Sequence, residues 1–506
     1  MKPLLIEIPD APGLEAMAAP LANEPGLVLF RSAMMDSAQV RYSFLAARPF
    51  LTFRSFGSRI EIRGSSCSAG GGIWAPGPLC RYGNPWRVLE ELMPRYEMIE
   101  QIDLPFPLGG CFGYWGYDLK NFIEPKLPRR AFNDLELPDC HLGFYDSLVA
   151  FDHCLGKAWI VSTGLGPDGS RTSVRARSQV QFWQQRLSQR VLQDCPQGKS
   201  PESQALWRSG SNRSLQRFQD ASAVFSNLSQ AEFMALVARA QTYIRAGDIY
   251  QVNLAQRLCV PWPGSGWDLF ERLTAVSPAP FSAYLCCGDF SVASSSPELF
   301  LRASGSHVCT RPIKGTRPRS AEPARDAQLG YELQTSAKEL AELVMITDLL
   351  RNDLGRVCEF GSIEVLELAR LERYPQVQHL VSTIEGRLRS DLGHFGVLSA
   401  CFPGGSITGA PKFRAMEIID ELEAVSRGPY TGALGYIGFN RESQLSIGIR
   451  TAICKPGVSY FHAGAGIVAD SSPLAEYEET LAKARGFIEA VGAGHVGFRV
   501  SLIPGL

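Results

Sequence analysis

Gly432-Ala433-Leu434-Gly435-Tyr436-Ile437-Gly438-Phe439-Asn440, followed by Gln444-Leu445-Ser446-Ile447-Gly448-Ile449-Arg450-Thr451-Ala452-Ile453, reads as two β-like runs placed to pair as a hairpin. Arg450 falls on the alternating part of the second run. Hairpin-like pairs of this kind dominate the C-terminal half, and they place the chain in the α+β class with large antiparallel sheets. The architecture this implies is a large antiparallel β-sandwich with helices packed outside.

Working outward, a helix over 230–246 with Gly247 as its C-terminal stop runs into a strand at Tyr250-Gln251-Val252-Asn253-Leu254. Residues 1 to about 190 are rich in short β-like runs punctuated by Gly and Pro, such as Leu27-Val28-Leu29-Phe30, Phe50-Leu51-Thr52-Phe53 and Leu148-Val149-Ala150-Phe151. A helix over 173–192 closes that region. Residues 194–227 carry many Ser, Gln, Asn and Arg and few large apolar side chains, so they read as a linker. The expected division is an N-terminal region over 1–193, the linker, and a catalytic domain over 228–500.

The composition is that of an ordinary globular chain, 45% hydrophobic and 20% charged. A formal charge of −1 argues against nucleic acid as a bulk electrostatic partner, without excluding a local pocket for a small anion. No segment approaches 18 uninterrupted apolar residues, and the N-terminus lacks an apolar core for a signal peptide. The 13 cysteines form no CxxC pair, which reads as reduced thiols in a cytoplasmic protein.

The chemistry concentrates in a few segments. In Arg311-Pro312-Ile313-Lys314-Gly315-Thr316, Pro312 fixes one φ angle and Gly315 permits an unusual one. Sixteen residues before Lys314 stands Glu298, in Ser296-Pro297-Glu298. A lysine and a glutamate on neighbouring strands could act as nucleophile and general acid; alone, the lysine reads as a solvated loop residue. Two helices carry glutamates at i, i+3: Glu339 and Glu342, and Glu476 and Glu479, the second with Ser472 at the N-cap and Pro473 at N1. Four facing carboxylates repel unless a cation sits between them, and hard oxygen ligands suit Mg²⁺. The bland alternative is two solvated helix faces, with Lys483 as a plain i, i+4 partner of Glu479.

Gly464-Ala465-Gly466 could let backbone N–H groups converge on an anion, or could be a tight turn. Arg450 offers a fork for a carboxylate, or is an edge-strand charge. The glycine-rich run over 401–412 opens a helix and offers the hydroxyls of Ser406 and Thr408, but it is not a P-loop. His379 fits a core position equally well. Together these features describe one pocket for a small dianionic substrate whose hydroxyl must leave.

In this order the segments resemble the chorismate-utilising enzymes, which include the large subunits of anthranilate and aminodeoxychorismate synthases and the isochorismate and salicylate synthases. The resemblance rests on KELAELVMITDLLRNDLGRV, FPGGSITGAPKFRAMEIIDELE, RGPYTGALGYIGF and HAGAGIVADSSP, and is dense over about 229–495. It is looser in the N-terminal half, through Leu29-Phe30-Arg31-Ser32, Arg41-Tyr42-Ser43-Phe44-Leu45 and Gly113-Tyr114-Trp115-Gly116-Tyr117-Asp118. It implies the chorismate-binding, anthranilate synthase-like fold.

Gln251 stands where the water-using members have a lysine, and Lys314 and the GSITGAPK wording mark the aminodeoxychorismate branch. The resemblance then implies Mg²⁺ held directly by Glu342 and Glu479 and through water by Glu339 and Glu476. It implies carboxylates held by Arg450, Tyr430, Lys483 and the amides of Gly464, Ala465 and Gly466, with His379, Thr408 and Gln251 lining the substrate. Glu298 would protonate the departing C4 hydroxyl and Lys314, kept neutral by burial or a nearby cation, would add at C2. Ammonia would come from glutamine through a separate amidotransferase subunit. Ser32 lies where related large subunits bind tryptophan. Leu343 departs from the family's AEHxM wording, which puts a histidine there. The alternatives within reach are an anthranilate synthase large subunit and a non-catalytic chorismate- or tryptophan-binding regulator.

Overall fold

The computed structural model describes residues 2–32, 41–64, 79–98, 104–188, 224–374, 376–492 and 500–502. Among the described residues the strands form two large sheets, of 13 and 12 strands. The ladders are antiparallel, except that Val224–Ser226 runs parallel to Val500–Leu502. The α+β sandwich expected from the hairpin pattern is what the chain forms.

The strand at Val28–Ser32 shows why. Alternation sends Val28 and Phe30 into the space between the sheets, while Leu27 and Leu29 pack under the outer helices. Both faces are covered, so the run is apolar without interruption. Between the sheets Phe30 and Phe44 of the first meet Phe112 and Tyr436 of the second, with ring centroids 5.1–6.4 Å apart. Outside, Phe487 of a C-terminal helix stacks on Phe461 at 4.7 Å. Each such buried aromatic is worth about 1.5–3 kcal/mol of transfer free energy.

Both halves of the sequence build both sheets. Val28–Ser32 pairs with Phe281–Cys286 in the first sheet, and Gly110–Trp115 pairs with Ala433–Gly438 in the second. Of the stretch read as a linker, Val224–Ser226 is a strand and 227 follows it; 194–223 lie outside the described residues, as do 189–192 of the helix before it.

The elements that meet at the site are, in chain order, strands β1 (Gln251–Trp262), β2 (Ser291–Ser296), β3 (Leu299–Ser304) and β4 (Ile313–Pro318), helix α1 (Ala337–Gly355), strand β5 (Val377–Arg387), helix α2 (Lys412–Leu422), strands β6 (Ala433–Gly438), β7 (Glu442–Ile447), β8 (Thr451–Lys455) and β9 (Gly457–Ile467), and helix α3 (Pro473–Ala490). The opening hairpin is β6–β7, in register from Ala433↔Ile447 to Ile437↔Ser443. Its second strand ends earlier than the sequence suggested. After Ile447 the chain leaves the second sheet, and it resumes as β8 in the first. The reverse crossing, from β2 to β3, passes through Pro297 and Glu298. The two crossings are stitched together: Ile447 N donates to Glu298 O at 3.0 Å, Ser295 N to Arg450 O at 3.0 Å, and Ser296 Oγ to Ile447 O at 2.6 Å.

Candidate active site

Glu298 and Arg450 therefore sit where the chain changes sheets, not on strands as expected. Arg450 adopts φ +49°, a left-handed conformation that a strand cannot hold. Glu298 is 6% exposed. Burial pushes its carboxyl up; the Ser406 hydroxyl, Lys314, the Ile313 N–H and Lys483 pull it part of the way back. A carboxyl of this kind keeps its proton to higher pH than a solvated one, as a general acid requires.

Lys314 lies on β4. Gly315 after it has φ +66°, and the β4–β5 register slips between Lys314↔Leu380 and Thr316↔His379. This bulge is the use of the unusual angle that the sequence anticipated. Lys314 Nζ donates to Ser406 O at 3.4 Å. Its charge acts on the carboxyls of Glu298 and Glu342. Ser406 thus acts on both Lys314 and Glu298, through its carbonyl and its hydroxyl respectively. Sequence reading noted that hydroxyl only as one donor in a glycine-rich loop. Thr408 is fully buried, and its own hydroxyl is spent on Gly404 O and Gly405 O at 3.1 and 3.3 Å.

On the opposite wall, Gly464-Ala465-Gly466 is neither a nest nor a turn. It is the C-terminal part of β9, paired with β1 through Asn253↔Gly466, Leu254↔Ala465 and Ala255↔Gly464. Asn253 N turns away from β9 to Thr408 O, so alternation turns Gly464 and Gly466 away from β1 and Ala465 into the ladder. Gly464 O on that outer edge accepts from Lys483 Nζ at 3.0 Å, and β8 covers β9 only as far as Phe461. The N–H groups of Gly464 and Gly466 share this open edge. The glycines are there for space. A side chain at Gly464 would meet Asn253 Oδ1 and Tyr430 Oη at 2.6 and 2.7 Å, and one at Gly466 would strike the buried Gln251 amide. Tyr430 stacks on His462 at 5.1 Å.

Arg450 is desolvated, which lowers its pKa, and among the described residues no carboxylate pairs with it. His379, 3% exposed, is held down to about 4 by burial and by Arg450, and its Nδ1 meets Thr316 Oγ1 at 2.9 Å. A neutral imidazole and an unpaired guanidinium side by side suit an anionic ligand.

Two of the four glutamates respond to their neighbours. Burial and then Glu339 and Glu479 raise Glu342, against Lys314 and Lys338; burial and Glu479 raise Glu476, against Ser471, Lys338 and Lys483. Glu476 Oε1 accepts from Ser471 Oγ at 2.7 Å, while its buried Oε2 has no partner. Glu339 meets Arg317 at 3.4 Å and Glu479 meets Lys483 at 2.7 Å. Among the described residues no three such ligands already converge on one point. The donor set, the mutual repulsion and the orphaned oxygen fit a hard divalent cation. Ser472 takes the N-cap position of α3, but its side chain makes no cap bond. Leu343, the departure from the family wording, is fully buried against Leu333 and Leu380.

Ser32 is elsewhere. Its N–H donates to Ser43 Oγ at 2.8 Å and its hydroxyl to Tyr42 O at 2.7 Å, beside a small cavity between the sheets bordered by Phe30, Phe44, Phe281 and Tyr436.

Residues 43–489 match the family model described as chorismate binding enzyme. The chain belongs to this family. The chorismate-binding chain is 37% identical over 487 residues to aminodeoxychorismate synthase component 1 of Klebsiella aerogenes, covering 96% of this chain and 98% of that one. It is 38% identical over 458 residues to anthranilate synthase component 1 of Acetivibrio thermocellus, covering 89% and 87%. Among solved structures, anthranilate synthase component I of Streptococcus pneumoniae TIGR4 superposes with a TM-score of 0.72 at 27% identity, covering 90% of this chain and 94% of that one. The menaquinone-specific isochorismate synthase of Escherichia coli shares the fold, with a TM-score of 0.68 at 17% identity over 97% and 94%. The protein is a chorismate-utilising enzyme. Among the described residues no helix is long and apolar enough to cross a membrane.

Proposed function

We propose that this enzyme is an aminodeoxychorismate synthase component 1, which replaces the C4 hydroxyl of chorismate with an amino group derived from ammonia. The observation that carries this reading is the juxtaposition of Lys314 with Glu298 through Ser406. Lys314, deprotonated, adds at C2 as both ring double bonds shift, C1=C2 to C1=C6 and C5=C6 to C4=C5, and the C4 C–O bond breaks; Glu298 gives its proton to the departing hydroxyl, which leaves as water. Ammonia then attacks C4, both double bonds return, and the C2–N bond to Lys314 breaks, the surplus proton of the ammonia leaving to solvent. A general acid in this role contributes about 10²–10⁴-fold.

Arg450 and the outer-edge amides of Gly464 and Gly466 suit the two carboxylates of the substrate, with Tyr430 and Lys483 beside them. Gln251, an amide, is no base for activating water. Mg²⁺ held by Glu342 and Glu479, with Glu339 and Glu476 behind them, would neutralise a substrate carboxylate and support C–O cleavage. The component 1 relatives imply a second subunit, and an amidotransferase that releases ammonia from glutamine is the partner this chemistry calls for. The Ser32 cavity, with its aromatic border, is a candidate for an indole side chain such as that of tryptophan.

A second reading is anthranilate synthase component 1, favoured by relatives of that name at equal identity. One experiment separates the two: chorismate, Mg²⁺ and ammonium are incubated with the chain and the product is weighed by mass spectrometry. Aminodeoxychorismate is expected. Anthranilate, fluorescent and aromatic, would establish the second reading instead.

A further inference from the structure

Strand β1 is paired with β9 along its whole length, but its other edge is interrupted. Gly409–Ala410 covers it at Gln251 and Val252, and Val224–Ser226 at Leu258 and Cys259. Between these patches Asn253 and Ala255 turn backbone groups outward; Asn253 N–H goes to Thr408 O at 2.8 Å, and Asn253 O and Ala255 N have no strand to receive them. An ion pair fills the gap. Glu423, just after α2, accepts from Ala255 N at 2.9 Å, and Arg427 Nη2 donates to Asn253 O at 2.8 Å. The two side chains, 7% and 2% exposed, are joined by a two-pronged bridge at 2.6 and 2.7 Å. The remaining guanidinium nitrogen, Nη1, donates to Ile407 O at 3.3 Å and Thr431 Oγ1 at 3.2 Å. The guanidinium plane lies over Tyr430, 5.6 Å from its ring centroid, and over Tyr117 at 4.7 Å.

Each of these contacts adjoins the site. Ile407 follows Ser406, which acts on Lys314 and Glu298. Asn253 and Ala255 stand opposite Gly466 and Gly464. Tyr430 places its hydroxyl against Gly464. We infer that Arg427, clamped by Glu423, is a positioning residue that fixes the distance between the wall carrying the reacting pair and the wall that holds the substrate's carboxylates. It touches neither substrate nor reacting atoms. Lysine cannot replace it, because the task needs a planar fork reaching three elements at once, and an ammonium is a point charge. A displacement of about 1 Å between reacting groups costs about 100-fold in rate even when its origin is remote.

This inference rests on the proposed reaction only for the location of the reacting groups. The test is Arg427→Lys in the full-length chain. Chorismate consumption with saturating ammonium and Mg²⁺ is measured together with chorismate affinity at equilibrium and the thermal midpoint. The expected result is a fall in kcat of at least tenfold in folded enzyme well below its midpoint, with a smaller change in chorismate affinity. A double variant with Ser406→Ala should lose less than the product of the two single losses, because Arg427 acts partly through that loop. A lowered midpoint with kcat and affinity within twofold of the native chain would reduce Arg427 to a structural ion pair and overturn the inference. Should Arg427→Lys fail to fold, Thr431→Val removes one of its anchors alone; a kcat unchanged in that variant overturns it equally. Formation of anthranilate by the native chain would sink the proposed reaction while leaving this comparison readable.

Discussion

The side-chain nitrogen of Lys314 donates to the main-chain carbonyl of Ser406 at 3.4 Å. The hydroxyl of the same serine acts on the Glu298 carboxyl and lowers its pKa. The proposed nucleophile and acid thus share one loop residue. Lys314→Ala should abolish amination at C4, since the covalent route through C2 is lost, and should leave C2 open to ammonia and some anthranilate-type product. Chromatography of the products with ammonium as nitrogen source checks this. Undiminished aminodeoxychorismate from the variant would remove the lysine from the mechanism.

Glu298 carries a pH signature. Its folded carboxyl is raised by burial, so an unfolded glutamate releases its proton first as pH rises. Above the unfolded value the native chain binds the extra proton, and the stability this contributes is lost as pH rises through the folded value. Glu298→Gln should flatten that decline in a series of thermal midpoints and lower kcat about 100-fold, the loss of one general acid. A variant with an unchanged midpoint-against-pH curve would show that the carboxyl is not held protonated.

Gly315 tests the bulge. At φ +66° a side chain costs about 1–2 kcal/mol. Its Cβ would also stand 2.7 Å from Leu333 Cδ1 and 3.0 Å from Glu339 Oε2. Gly315→Ala should therefore lower the thermal midpoint and reduce kcat by displacing Lys314. Native kinetics together with a native midpoint would mean that the bulge is idle.

How much of this was legible in the sequence depends on distance along the chain. The hairpin β6–β7, the helix over Gln230–Arg245 and the glycine at φ +81° after it are local patterns, and the sequence states them. Lys314 and Gly315 were legible because a proline and a glycine bracket the lysine. The crossings at Glu298 and Arg450 were not, because nothing in an apolar strand says at which residue it changes sheets. For Gly464 and Gly466 the pattern suggests a nest or a tight turn, and the structure puts both on a strand. Strand glycines that leave room for Tyr430 and Gln251 look the same in sequence as glycines that bend a loop. The Glu423–Arg427 bridge, four residues apart just past the end of α2, has no local signature in the sequence. Its role comes from an unpaired strand edge some 170 residues away in sequence, between Ala255 and Glu423.

The glutamates of α1 and α3 give a coupled prediction. Glu342→Gln and Glu479→Gln should each raise the Mg²⁺ concentration needed for half-maximal activity and weaken chorismate binding measured by calorimetry in Mg²⁺. If both touch one ion, the double variant should show an interaction energy of about 0.5–3 kcal/mol. Independent effects of a few tenths of a kcal/mol each are what two solvated helix faces would give, about the worth of a surface pair.

The last prediction concerns the nitrogen source. The isolated chain should aminate chorismate with ammonium and not with glutamine. Only the neutral amine can attack C4, so the rate with ammonium should climb with pH while the acid Glu298 still holds its proton, then turn over as that proton is lost. Glu298 sits 6% exposed with Lys314 and Lys483 acting on it, so the turnover reports the whole charged group rather than one residue. Adding an amidotransferase partner should make glutamine a substrate and flatten the rising limb, because ammonia is then released next to the site and no longer drawn from the bulk pool. The falling limb should stay where it was, since it belongs to this chain. Product formation across pH with each nitrogen source, with and without the partner, decides the matter. Glutamine hydrolysis by the purified chain alone would show that it is not a component 1 that depends on a second subunit.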